Sequence, residues 1–186
     1  MSIACQLQEW DMATILFDSK CQVDLPDKNG NTPLMKAIQA KNNRMPLFGK
    51  ALANQFVSYG CDIFRYNSEK RSCFHYLAMS QCSDQESVFN ALLSSKKRPK
   101  DKVSIQDLGD KDKLTALHLS VLAGNLEVCK ALIANGASVN LKDSKGRTAL
   151  MLSCSSGNED ICKAILEANP ELHHADSKGR LIFNEA

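Results

Sequence analysis

The feature that most constrains this 186-residue chain is a segment that recurs at a spacing of 33 residues. One copy, at residues 110–140, reads DKDKLTALHLSVLAGNLEVCKALIANGASVN. The next begins at Asp143 with DSKGRTALMLSCSSGNEDICKAILEANPEL, and a third start, DSKGRLIF, follows at Asp176. A fixed period of this length is typical of a stacked repeat protein, whose units are too small to bury their apolar faces alone. We therefore expect a repeat solenoid, a class of protein that more often binds partners than catalyses reactions.

Each repeat is predicted to contain a tight turn followed by two short antiparallel helices. In the copy from residue 110, Thr115 is a candidate N-cap for a helix over residues 116–122, and Gly124 follows that helix as a terminator. A second helix is predicted over residues 126–134, where apolar residues recur at helical spacing, and Gly136 ends it. The sequence therefore predicts an all-α repeat solenoid.

The tetrads T-A-L-H at residues 115–118, T-A-L-M at 148–151 and T-P-L-M at 32–35 resemble the T-P-L-H tetrad of the ankyrin repeat. Residues 132–140, which read LIANGASVN, are similar to the L-L-x-x-G-A-x-V-N feature of the same family. The resemblance implies an ankyrin-repeat stack of helix-turn-helix units with β-turn or hairpin fingers. It also implies that the first helices line a concave face, where relatives bind proteins.

We predict one ankyrin-repeat domain over residues 1–186, with about five repeats. Spacings of 40 and 43 residues between the tetrads at Thr32, Ser72 and Thr115 predict inserted loops in two early repeats. The predicted parts are an N-terminal capping repeat at 1–25, a repeat with an inserted inter-helix loop at 26–66, a degenerate repeat with a basic inserted loop at 67–108, repeats at 109–141 and 142–174, and a truncated repeat at 175–186. Because the last repeat would lack its second helix, we expect the native protein to continue beyond Ala186.

The resemblance places candidate partner-binding residues on the finger tips and on the concave wall. The residue after each tetrad is Lys36, Tyr76, Leu119 or Leu152, and the last three are expected to form an exposed stripe. The alternative is that leucine is common there in the family and partly packed. The predicted finger-tip residues are Lys28, Asn29, Ser68, Glu69, Lys111, Asp112, Ser144 and Lys145, together with Ser177 and Lys178.

Three further features have both a functional and a structural interpretation. The cluster Lys96, Lys97, Arg98 and Lys100 resembles a nuclear-localisation signal, or is a solvated loop. Asn140 resembles a position that an asparaginyl hydroxylase modifies in ankyrin repeats, or it satisfies backbone groups. The family resemblance implies that His75 and His118 form buried hydrogen bonds to the neighbouring turn rather than catalytic or metal contacts.

Composition and charge argue against nucleic-acid-binding, membrane-spanning and secreted classes of protein. A formal net charge of +2 does not indicate a general basic field for nucleic acid. No apolar run approaches the roughly 18 residues of a membrane span. The eight cysteines form no C-x-x-C pair and there is no signal-peptide pattern, so we expect reduced thiols in the cytoplasm and/or nucleus.

Three hypotheses follow. The favoured one is a non-catalytic scaffold or adaptor that binds a protein, with no cofactor, metal or small-molecule substrate and no direct nucleic-acid contact. The alternatives are a nuclear regulator that binds a transcription factor or kinase, and the targeting module of an enzyme whose catalytic part lies beyond Ala186. The chain contains no G-x-x-x-x-G-K-S/T, G-x-S-x-G or H-E-x-x-H motif.

Overall fold

A computed structural model of the chain describes residues 15, 22–39, 50–80, 85–94 and 107–181. The chain divides into two compact units, residues 1–102 and residues 103–186. The residues described contain no strand, only an isolated bridge between Ala175 and Leu181. This all-helical composition fits the predicted helical solenoid, whereas the exact repeat count, the strand hairpins in the fingers and the single-domain assignment stay predictions. No described helix is long and apolar enough to cross a membrane.

The first unit contains four helices with described bounds. They are α1 (Pro33–Gln39), α2 (Lys50–Ser58), α3 (Cys73–Met79) and α4 (Gln85–Leu93). Helix α1 packs on α3 and α2 packs on α4, so equivalent helices of successive repeats lie against each other. The core includes Phe56, Phe74 and Phe89, and the rings of Phe74 and Phe89 meet edge to face with centroids 5.3 Å apart. Aromatic burial therefore joins the two helices of the degenerate repeat.

The second unit contains the repeats that are most regular in sequence. Its helices are α5 (Ala116–Leu122), α6 (Leu126–Ala134), α7 (Ala149–Ser156) and α8 (Glu159–Leu166). Helices α5 and α6 pair, as do α7 and α8, while α5 packs on α7 and α6 on α8. Leu117, Leu132, Leu150 and Ile165 are fully buried between them. The helix bounds predicted at residues 116–122 and 126–134 agree with α5 and α6.

Local side chains set the ends of the helices in the second unit. Asn125 and Asn158 precede α6 and α8, and each side chain accepts a hydrogen bond at 3.2 Å from the backbone N–H three residues ahead. Gly124, Gly136 and Gly157 follow helices with φ values of 68°, 85° and 69°. This left-handed region suits glycine, so Gly124 and Gly136 end their helices as the sequence predicts, and Gly157 ends α7 in the same way. The short helix–helix connections then bring each following turn to the same edge of the unit.

Candidate functional site

Five finger turns share one hydrogen-bonding scheme. The first residue of each is Asp or Asn, and its Oδ1 accepts the backbone N–H groups two and four residues ahead at 2.8–3.1 Å. These residues are Asp27, Asn67, Asp110, Asp143 and Asp176. The backbone N–H of the same residue donates to the carbonyl four residues ahead, which closes the turn. Each finger is therefore held by its own side chain and backbone, as in Asx turns.

Hydrogen bonds favour the ionised form of the finger carboxylates of Asp27 and Asp143. Burial of Asp27 opposes ionisation, but bonds from Asn31, Lys36 and Asn29 outweigh it and lower the pKa to about 2. Burial likewise opposes ionisation of Asp143, and the bonds from Arg147 and Lys145 lower its pKa overall. These carboxylates therefore bind their own turns as anions.

The next finger repeats the arrangement. The backbone N–H and guanidinium of Arg180 lower the pKa of Asp176 to about 2. Arg147 contacts Asp143 Oδ2 at 2.7 Å, and Arg180 contacts Asp176 Oδ2 at the same distance. The carboxylate charge in these two fingers therefore lies beside a guanidinium of the same finger.

Backbone hydrogen bonds join successive fingers within each unit. In the first unit the Ser68 N–H donates to the Asn29 carbonyl at 2.9 Å. In the second, the Ser144 N–H donates to Asp112 at 2.8 Å and the Ser177 N–H donates to Lys145 at 2.9 Å. These bonds fix the register of one finger tip against the next.

Every predicted finger-tip residue occupies an exposed turn position. They are Lys28, Asn29, Ser68, Glu69, Lys111, Asp112, Ser144, Lys145, Ser177 and Lys178. Their backbone groups are engaged in the turns and in the bonds between fingers, and the Ser68 hydroxyl also donates to the Asn29 carbonyl at 2.8 Å. Their role in partner binding stays a prediction, and the geometry makes them accessible to a partner.

The prediction that Tyr76, Leu119 and Leu152 form an exposed stripe is wrong about their exposure. Their side chains are 8%, 5% and 2% exposed. Leu119 and Leu152 lie in α5 and α7, which pack on each other, and Tyr76 lies in α3, which packs on α1. The exposure is therefore absent and the alternative interpretation of packed residues applies, while a role of these residues in partner binding stays a prediction.

Lys36, the remaining residue that directly follows a tetrad, is half-buried in α1. Its Nζ lies 3.0 Å from Asp27 Oδ2, where it stabilises the ionised finger carboxylate. A role in partner binding stays a prediction for this side chain. Its contact with Asp27 gives it a structural role in the first described finger.

His118 connects a helix to the next finger. The Thr115 N–H donates to Nδ1 at 3.3 Å, so the neutral ring carries its proton on Nε2, which donates to the Arg147 carbonyl at 3.1 Å. The His118 N–H donates to Thr115 Oγ1, which completes a reciprocal cap. The expected bond to the neighbouring turn is thus present. His75 makes the equivalent cap with Ser72, whose N–H donates to Nδ1 at 3.1 Å.

The hydroxylation candidate Asn140 binds the backbone of the next repeat. Its Oδ1 accepts the Glu171 N–H at 2.9 Å, and its Nδ2 lies 3.4 Å from Glu171 Oε1. Asn140 therefore satisfies a backbone group, and modification stays a prediction. The candidate nuclear-localisation residues Lys96, Lys97, Arg98 and Lys100 lie outside the described residues.

The described cysteines are free thiols. Cys61, Cys73 and Cys129 are buried, and burial raises the pKa of Cys129 to about 11. Cys154 on α7 and Cys162 on α8 are more accessible, with their sulfur atoms 3.8 Å apart. Within the described ranges, no cluster of three or more His, Cys, Asp or Glu side chains is arranged to hold a metal ion.

Sequence reasoning missed a polar network between the first two described fingers. Asn67 Nδ2 donates to Asn31 Oδ1 at 2.8 Å and lies 2.7 Å from the Tyr76 hydroxyl. The Tyr76 hydroxyl donates to Asn31 Oδ1 at 3.2 Å. These residues do not recur at the repeat period, so no periodic signal indicated them. By contrast, the Asp–Arg pairs could have been found from DSKGR, which occurs at both 143–147 and 176–180.

A family model described as ankyrin repeats, in three copies, matches residues 75–176, which is more than half of the chain. The match begins at His75 and ends at Asp176, so it includes α5 to α8 and the finger turns between them. The comparison with curated proteins returned no match.

Proposed function

Since the chain belongs to the ankyrin-repeat family, we propose that it is a non-catalytic scaffold or adaptor module that binds a protein partner. Ankyrin repeats are generally protein–protein interaction modules and are typically non-catalytic. The observation that carries the proposal is the series of exposed finger tips on turns held by their own hydrogen bonds. Such tips are ordered before a partner arrives, which reduces the entropic cost of association.

The finger tips are a better binding surface than the wall residues after each tetrad. Leu119 and Leu152 are buried, so a partner would have to open the helix packing to reach them. The tip side chains need no such rearrangement. We therefore assign the main contact to the finger tips, with the exposed parts of the first helices beside them.

The chemistry of the described cysteines supports a reducing compartment. Cys61, Cys73 and Cys129 are free and buried, which suits thiols that serve as small apolar side chains. We propose location in the cytoplasm and/or nucleus, where thiols remain reduced. Imaging of a fluorescent fusion tests this proposal, and secretion of the intact fusion would contradict it.

Affinity capture from cell lysate with quantitative mass spectrometry tests the binding function. The tip variant combines Lys28→Ala, Glu69→Ala, Lys111→Ala and Lys145→Ala. The matched control combines Asn54→Ala, Asn90→Ala, Lys130→Ala and Lys163→Ala, one exposed position on each of α2, α4, α6 and α8. Circular dichroism and thermal unfolding establish that all three proteins are folded.

We expect the unaltered chain and the control to enrich the same protein and the tip variant to lose it. Equal enrichment by all three proteins would contradict binding through the finger tips. If no protein is enriched by the folded chain, the binding function itself is wrong.

A further inference from the structure

The finger edge of the second unit, defined as turns 110–114, 143–147 and 176–180, carries an excess of outward positive charge. Five lysines on or directly beside these turns are exposed: Lys111, Lys113, Lys142, Lys145 and Lys178. The acidic side chains of the same turns are Asp110, Asp112, Asp143 and Asp176. Of these four, Asp112 is the one in an exposed position.

The other three carboxylates are directed into their own turns. Asp110, Asp143 and Asp176 each accept two backbone N–H groups through Oδ1. The side chains of Asp143 and Asp176 are only 1% and 5% exposed, and each is paired with an arginine of the same turn. Since the two Asp–Arg pairs carry no net charge and Asp110 is buried, the lysines dominate the field that a partner meets.

Lys145 and Lys178 are the clearest members of this surface. They occupy the same position in the two DSKGR turns, and neither forms an ion pair with any residue that the structure describes. The hydrogen bond from the Ser177 N–H to the Lys145 carbonyl fixes one turn beside the other. Their ammonium groups are therefore carried on adjacent, ordered turns at the same edge.

The spacing of the turns suits an extended peptide. The repeats stack through helices, whose axes are typically about 8–10 Å apart, so successive fingers advance by a similar distance. A polypeptide in the extended polyproline II conformation rises about 3.1 Å per residue with three residues per turn, so every third side chain lies on the same face and advances by roughly the same length. We propose that the finger edge of the second unit binds an extended acidic peptide segment of the partner protein, with a carboxylate at about every third residue.

Protein carboxylates fit this surface better than nucleic acid does. Duplex DNA carries one charge per about 1.7 Å of its axis, which is far denser than five lysines spread over three fingers. The exposed carboxylate of Asp112 lies among the lysines and would repel a dense row of phosphates. The three turns contain no aromatic residue on which a base could stack.

This inference rests on the proposed function, and a defined probe tests it separately from lysate capture. The probe is a fluorescein-labelled peptide of about twelve residues with glutamate at every third position and glycine or serine between. Control peptides carry glutamine at those positions, or the same number of glutamates in one consecutive run. Fluorescence anisotropy measures binding at about 20 mM and about 150 mM salt, because exposed charge contacts are screened by salt.

Two double variants with the same change in net charge complete the design. Lys145→Glu/Lys178→Glu alters the finger edge, and Lys130→Glu/Lys163→Glu alters exposed positions on α6 and α8. Both leave the turn-forming aspartates and glycines in place. Thermal unfolding of each variant establishes that it is folded.

We expect the spaced glutamate peptide to bind more tightly than either control peptide, and its affinity to fall at the higher salt. The finger-edge variant should weaken binding by roughly tenfold or more, because each reversal removes an attraction and adds a repulsion. The α6/α8 variant should weaken it by less than about threefold, since its charges are farther from the peptide.

The inference is overturned if the spaced peptide binds no better than the glutamine or consecutive-glutamate peptide, or if both double variants lose affinity equally. It is also overturned if single-stranded oligothymidine of equal charge binds more tightly through Lys145 and Lys178. Any of these results, together with a partner captured through the finger tips, would remove the acidic-peptide assignment and leave the protein-binding function in place.

Discussion

Replacing His118 with alanine should destabilise the second unit, because this one side chain joins a helix cap to the following finger. The ring is 1% exposed. Its Nδ1 accepts the Thr115 N–H, and its Nε2–H donates to the Arg147 carbonyl. Alanine can supply neither contact.

The expected loss follows from the groups left without partners. A buried donor left without its hydrogen bond costs about 1–3 kcal/mol, which applies to the Thr115 N–H that His118 Nδ1 accepts. Loss of the bond from Nε2 adds about 0.5–1.5 kcal/mol, less than a full penalty, because the Arg147 carbonyl still accepts the Asp143 N–H. We therefore expect His118→Ala to lower the free energy of unfolding by about 3 kcal/mol, a large fraction of the 5–15 kcal/mol typical of a folded protein.

Urea denaturation followed by far-ultraviolet circular dichroism measures this difference. His173→Ala is the matched control, because His173 is exposed and should change the free energy of unfolding by less than about 0.5 kcal/mol. His118→Gln should retain part of the stability, since an amide at this position can still accept the Thr115 N–H. If His118→Ala and His173→Ala unfold at the same urea concentration, the proposed role of His118 in joining the repeats is wrong.

Three other predictions address protonation, backbone conformation and thiol proximity. Burial lowers the pKa of folded His118 below the ordinary 6.5, so stability present above that pH should decline as the pH falls through it. The melting temperature, measured between about pH 7.5 and 5.5, should show this decline. His118→Gln should reduce the dependence of the melting temperature on pH, and an unchanged dependence would count against the role of His118. In urea denaturation, Gly146→Ala should lower the free energy of unfolding by about 1–3 kcal/mol more than Gly179→Ala does. Both glycines have positive φ, but only a Cβ at Gly146 meets the next finger, where it would lie 2.9 Å from the Ser177 nitrogen. Diamide, a thiol oxidant, should form a disulfide between Cys154 and Cys162 in the folded chain with the loss of two hydrogens, because their sulfurs are 3.8 Å apart. Peptide mapping that finds both thiols intact would refute this expectation.

The sequence predicted most accurately the features that neighbouring residues determine. The bounds of α5 and α6 agreed because Thr115, Asn125 and the glycines at 124 and 136 supply caps and terminators within the repeat. The finger turns of the second unit were also accessible to prediction, since Asp110, Asp143 and Asp176 recur at a spacing of 33 residues. Local chemistry repeated at one period therefore defines both the helices and the exposed tips.

Burial of the wall residues was not predictable in the same way. Leu119 and Leu152 each directly follow a recognisable tetrad, but their exposure depends on how closely α5 and α7 pack. Tyr76 is buried with its hydroxyl in a network whose partners, Asn31 and Asn67, are 45 and 9 residues away. Such contacts arise from stacking between repeats, and a single repeat contains no signal for them.

The most direct test of binding through the finger tips is site-specific photo-crosslinking in cell lysate. A photo-reactive benzoylphenylalanine replaces Ser144 on a finger tip in one protein and Lys130 on helix α6 in another, both at exposed positions. Binding through the finger tips predicts a light-dependent adduct with a partner protein from position 144 and none from position 130. An adduct from position 130 alone, or no adduct from position 144 in the folded protein, would contradict it.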